Sequence, residues 1–197
     1  MKTVCVYVIR HGNYDAKTGS LTDEGRRRVV AAARAHLSGK RLGSVIYSGM
    51  RRTLETVNAA LEAIEHPMPA GNPVEMPTFG YEWAAADDPT YYVRVKDAIT
   101  QGRPNTAAVW REHWASAPKV SEAVRKALLD IARVRAESTD GADDVLIGGH
   151  EFVAVSATLD PDTSCLGEAD IIRYDIVVEG SRAEIVKWKT LPVPAVS

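Results

Sequence analysis

The sequence predicts an α/β fold with parallel strands, and three short apolar runs carry that prediction. Val4-Cys5-Val6-Tyr7-Val8-Ile9 stops at Arg10-His11-Gly12, Ser44-Val45-Ile46-Tyr47 stops just before Arg51-Arg52, and Val145-Leu146-Ile147 stops at Gly148-Gly149-His150. Each run has the length and continuous apolarity of a buried strand. In a parallel sheet, groups just past the carboxyl ends of neighbouring strands converge in one crevice. Two histidines and at least two arginines then face a common point. Such a cluster repels itself unless it holds an anion, and forked guanidinium donors match phosphate oxygens. The pattern points to a site for a phosphoryl group.

The elements follow in chain order. After the first strand, residues 13–20 form a polar loop, and Thr22 caps a helix whose first turn carries Asp23 and Glu24 at its positive end. That helix runs to about Leu37, where Ser38-Gly39 stops it. Beyond the second strand, Met50, Leu54, Val57, Leu61 and Ile64 recur every three or four residues and make one apolar helix face, closed by Pro67. From there to Pro89 the chain is rich in proline and glycine with little periodicity, which reads as a long excursion beside the pocket. Helices are expected over 90–100, 105–115 and 119–136, the last with Val120, Val124, Leu128 and Ile131 inward. Asp140-Gly141 turns into the third strand, and two alternating runs, 169–178 and 182–188, form a hairpin around Glu179-Gly180-Ser181.

A chain of 197 residues fits one domain, 1–197, with a cap-like excursion at about 67–118. The balance of 24 basic against 26 acidic residues supplies no general attraction to nucleic acid or an anionic membrane. Cys5 and Cys165 lack metal-ligand or Cys-x-x-Cys spacing and read as buried structural thiols. No run approaches the roughly 18 apolar residues that span a bilayer, and the chain opens directly into a strand, so a cytoplasmic location is expected. No carboxylate set clusters at metal-ligand spacing, so neither a metal nor another cofactor is expected. His36, His66 and His113 stand apart from any cluster, and Trp110 and Trp114 have the helical spacing of core or interface residues.

Chemistry concentrates on few residues. His11 reads as a nucleophile: a neutral imidazole attacks phosphorus, and the phosphohistidine divides one hard displacement into two easier ones. Its second ring nitrogen must keep a proton and donate it to a fixed acceptor. His150, at the end of the third strand, reads as a ligand for phosphoryl oxygens.

Arg10-His11-Gly12, Leu21-Thr22-x-x-Gly25, Ser48-x-x-x-Arg52-x-x-x-Thr56 and the late His150 together resemble the histidine phosphatase superfamily, also called phosphoglycerate mutase-like, over about residues 3–157. The resemblance implies a three-layer α/β/α sandwich with a mainly parallel central sheet. It implies that Arg10, His11, Arg52 and His150 contact the phosphoryl oxygens, and Asn13, directly after the first motif, is expected beside them as a further substrate-binding residue. Its spacing selects Arg52 over Arg51, which lies about 100° round the helix. The leaving oxygen needs a proton. Glu82, in Phe79-Gly80-Tyr81-Glu82-Trp83, stands where related enzymes place their acid, with Glu75, Asp87 and Asp88 as competitors. The pattern departs from that of many relatives at Asn13, at Gly49-Met50 and at Gly149-His150-Glu151-Phe152. None of these removes a phosphate ligand. The implied activity is a metal-independent phosphatase acting on a phosphorylated small molecule or phosphoprotein. A phosphoglycerate-type mutase and a non-catalytic phosphoprotein-binding module are the alternatives.

Overall fold

The apolar alternation along the first strand explains the layering of the whole molecule. In β1 (Lys2–Arg10), Val4, Val6 and Val8 point into one core while Tyr7 and Ile9 point into a second. Both faces of this strand are therefore covered, as its continuous apolarity requires. The same division recurs in β2 (Leu42–Tyr47), with Ile46 on one side and Val45 on the other, and in β4 (Asp144–Gly149), with Val145 and Ile147 opposite Leu146. The computed structural model describes residues 1–69, 71 and 73–195.

Among them a six-stranded sheet has the order β3-β2-β4-β1-β5-β6. β1, β2, β4 and the two-residue β3 (Val74–Glu75) run parallel, and β5 (Ile171–Glu179) and β6 (Arg182–Leu191) complete the sheet antiparallel. The expected hairpin is present, but it starts two residues late. Ala169 adopts φ 63°, a left-handed backbone that cannot continue a strand.

Helices α1 (Asp23–His36) and α2 (Arg51–Ala63) cover one face. The other face is covered by α6 (Ala117–Glu137) and by shorter helices from the excursion: α3 (Glu82–Ala85), α4 (Tyr91–Thr100) and α5 (Ala107–His113). A short α7 (Glu151–Val155) follows β4 directly. The excursion is more integrated than its composition suggests. Its β3 extends the sheet, and Phe79, Tyr91, Val95, Trp110 and Trp114 are buried in the core. Residues 70 and 72 of that excursion, and 196–197 of the tail, lie outside the described residues. No helix among the described residues is long and apolar enough to cross a membrane.

Candidate active site

Strand register brings the basic residues together. Arg10 ends β1 opposite Gly149 at the end of β4, and the His11 amide donates to the Gly149 carbonyl at 3.1 Å. His150 is the next residue and caps α7. Ser48 follows β2, whose last residue, Tyr47, pairs with Gly148, and Arg52 is the second residue of α2. All lie beyond the carboxyl ends of three parallel strands.

His11 is 7% exposed, and its Nδ1 lies 2.9 Å from the carbonyl of Gly12. A carbonyl only accepts, so Nδ1 carries the proton and Nε2 keeps its lone pair. Burial pushes the imidazole pKa down to about 4, with the Arg52 and Arg10 charges adding to the fall and the Gly12 bond opposing it. The ring is neutral at neutral pH.

The protonation of His150 follows from its neighbours. Thr53 Oγ1 donates to the Met50 carbonyl at 2.7 Å, so it accepts from Ser48 Oγ at 3.0 Å. Ser48 then accepts from His150 Nε2 at 2.9 Å. Nδ1 of His150 is left buried and without a partner among the described residues. Burial, then His11, Arg52 and Arg10, hold this imidazole well below its usual pKa. The two histidine rings meet edge to face, with centroids 5.1 Å apart.

Arg52 is 5% exposed; its Nη2 donates to the Tyr81 hydroxyl at 3.2 Å and its guanidinium lies 4.5 Å from the centre of the Tyr14 ring. Arg51 points outward to Glu55. Arg10 donates to the Leu166 carbonyl at 2.6 Å and pairs with Glu151 at 3.5 Å. Nε of both Arg10 and Arg52 is buried without an acceptor among the described residues. Two guanidinium groups with unused donors and two neutral imidazoles thus line a cavity of about 290 Å³. Such a site has strong capacity for a tetrahedral oxyanion.

Two expected residues lie elsewhere. Asn13 is exposed and outside the cavity lining, its amide oxygen accepting from the Thr22 hydroxyl at 3.2 Å. Glu82 is exposed and also outside the lining. It opens α3, and its carboxylate turns back to accept from the Tyr81 amide at 3.1 Å, a bond available to an acid at a helix start. Glu75 accepts from the Tyr47 hydroxyl, and Asp88 pairs with Arg94. The carboxylates that line the cavity are Glu151 and Glu168.

Glu151 was legible as an acid directly after the site histidine. Tyr14 and Tyr81, which flank the histidine rings, have no sequence signal beyond their closeness to the motifs. Among the described residues no group of three or more histidines, cysteines or acids is placed to hold a metal.

No family model matches the sequence, and no curated protein matches it. Solved structures do. "Mycobacterial hydrolase 2" is 18% identical with a TM-score of 0.67, covering 100% of this chain and 94% of its own. Phosphoglycerate mutase from Bacillus anthracis is 16% identical with a TM-score of 0.62, covering 93% and 92%. Mycobacterial glucosyl-3-phosphoglycerate phosphatase, solved with VO3, is 15% identical with a TM-score of 0.58, covering 95% and 97%. The likeness over nearly the full length of each chain shows that this protein has the fold of phosphoglycerate mutase.

Proposed function

We propose that the protein is a metal-independent phosphomonoesterase that works through a phosphohistidine on His11, with residues 67–118 forming the cap over its substrate. One observation carries this reading. His11 is locked by Gly12 as the tautomer with a free Nε2, inside a cavity that Arg10, Arg52, His150 and Lys96 also line. Fold neighbours that include a phosphoglycerate mutase and a glucosyl-3-phosphoglycerate phosphatase support phosphoryl chemistry. The modest cavity favours a small-molecule ester over a protein surface.

Nε2 attacks phosphorus, the P–O bond to the alcohol breaks, and the departing oxygen takes a proton. Arg10 and Arg52 hold equatorial oxygens through their guanidinium donors, and His150, whose Nε2–H is given to Ser48, joins them once the bound phosphoryl group draws a proton onto its Nδ1. We assign the proton to Glu151 in preference to Glu82, because Glu151 lines the cavity beside Arg10. The same carboxylate then accepts a proton from water, which attacks the phosphohistidine and releases phosphate and neutral His11.

An acid-labile phosphoenzyme should form rapidly with p-nitrophenyl phosphate, survive chelators and be absent in His11→Ala. Normal hydrolysis by that variant overturns the mechanism. The acid is tested with two leaving groups. Glu151→Gln should slow hydrolysis of an alkyl phosphate at least tenfold more than that of p-nitrophenyl phosphate, whose leaving group departs without a proton. If Glu82→Gln shows that difference and Glu151→Gln does not, the loop carboxylate is the donor.

A further inference from the structure

Five aromatic side chains, Tyr91, Tyr92, Trp110, Trp114 and Phe152, line the cavity that also holds the phosphoryl-binding cluster. Four of them form two stacked pairs. Tyr91 lies on Trp114 with centroids 4.3 Å apart and planes 17° from parallel, and Trp110 lies on Phe152 at 5.4 Å and 7°. The pairs meet each other steeply, Trp114 against Phe152 at 5.9 Å and 68°. Tyr92, 42% exposed, leans over Trp110 at 6.1 Å.

We propose that this wall is a subsite for a flat aromatic ring, so that the substrate is the phosphate monoester of an alcohol carrying such a ring close to its ester oxygen. The inference rests on the phosphomonoesterase reading and names its substrate class. Three features support it. First, aromatic faces and edges attract a further ring through offset-stacked or edge-to-face contacts, beyond the gain from burying its area. Second, the space suffices: about 150 Å³ accepts benzene in an apolar protein cavity, and this cavity has about 290 Å³, which leaves room for the phosphoryl group. Third, the Trp110 indole N–H is already donated to Asn105 at 2.9 Å, so that ring meets a ligand as carbon.

The wall is also stiff. Asn105 takes the Trp110 proton and in turn donates to Glu151, which pairs with Arg10. A ring resting on Trp110 is thereby referenced to the guanidinium that binds its phosphate.

Calorimetric binding of benzylphosphonate and methylphosphonate, which cannot be hydrolysed, tests the subsite apart from catalysis. Benzylphosphonate should bind at least tenfold tighter, and Tyr92→Ala, at an exposed position that the fold tolerates, should cut that ratio at least threefold. Equal affinities overturn the subsite, as does a ratio unchanged in both Tyr92→Ala and Trp110→Leu. The two readings fail separately. A phosphoenzyme without ring preference overturns only the subsite, and a ring preference without a phosphoenzyme overturns only the hydrolase.

Discussion

At position 52 a guanidinium meets demands that an ammonium cannot. It donates to Tyr81, lies over Tyr14 and keeps a buried Nε without an acceptor among the described residues, all from one planar group. A lysine there retains the charge but loses the fork and the stacking plane. Hydrogen bonds to charged groups contribute about 1.5 to 3 kcal/mol each, so Arg52→Lys should lower kcat/KM about ten- to hundredfold. Arg51→Lys, at the exposed neighbour, should leave it near wild type. Steady-state kinetics on the two variants checks the pair, and equal losses would remove Arg52 from the site. The position of this guanidinium was legible from the resemblance, whose spacing Ser48-x-x-x-Arg52-x-x-x-Thr56 selects Arg52, while Arg51 lies about 100° round the helix. The acid was not legible in the same way. Whether Glu82 reaches the cavity depends on the path of a proline-rich segment that no periodicity describes, and Glu151 carries no signal beyond its place after His150.

Between elements, two glycines determine how closely α1 approaches the loop behind His11. A Cβ on Gly25 would stand 2.1 Å from the Asn13 carbonyl oxygen, and one on Gly12 would stand 2.5 Å from that of Gly25. The Thr22 amide bonds to the same Asn13 carbonyl, and its hydroxyl caps the Gly25 amide, both at 3.0 Å. The stretch Leu21-Thr22-x-x-Gly25 is therefore an abutment for the nucleophile loop. Gly25→Ala gains up to about 1 kcal/mol of helix propensity, but overlap with rigid backbone outweighs that gain. Both Tm and kcat should fall. Thr22→Ala removes the cap, costing about 1 kcal/mol, and the hydroxyl's bond to Asn13 but leaves the backbone contact of Gly25 with that loop, and should lower Tm with kcat largely retained. Calorimetry with pre-steady-state kinetics separates the two, and a Gly25→Ala protein with normal kcat would show that the abutment does not position His11. Longer elements were legible from their apolar periodicity. β3 and α7 were not, because two and five residues are too few to establish a period.

Across the whole molecule, the site joins β1, β4, α2 and α7, so an anion bound there ties the sheet to both helical layers and links stability to pH. In the unfolded chain histidine titrates near 6.5, whereas folded His11 titrates near 4 and His150 is shifted the same way. Between these values the unfolded state binds more protons. Stability from these groups is therefore complete above pH 6.5 and is lost as pH falls towards 4. For His11 alone the loss between pH 7 and 5 is about 2 kcal/mol, or roughly 4–8 °C in Tm for a chain of this size. Asp140 does not obscure this window: held down to about 2 by the Ala142 amide and Arg135, it keeps its contribution above its ordinary 3.8 and loses it only as pH falls from there. An anion between the guanidinium groups should reverse the histidine shifts, since a negative charge favours imidazolium. Tm measured from pH 7 to 5 should therefore fall steeply in chloride and much less in sulfate at matched ionic strength. The sulfate effect should grow as pH falls and shrink in His150→Gln, which cannot take up the proton. Parallel Tm curves in the two salts would mean that the four basic side chains do not act on one shared anion.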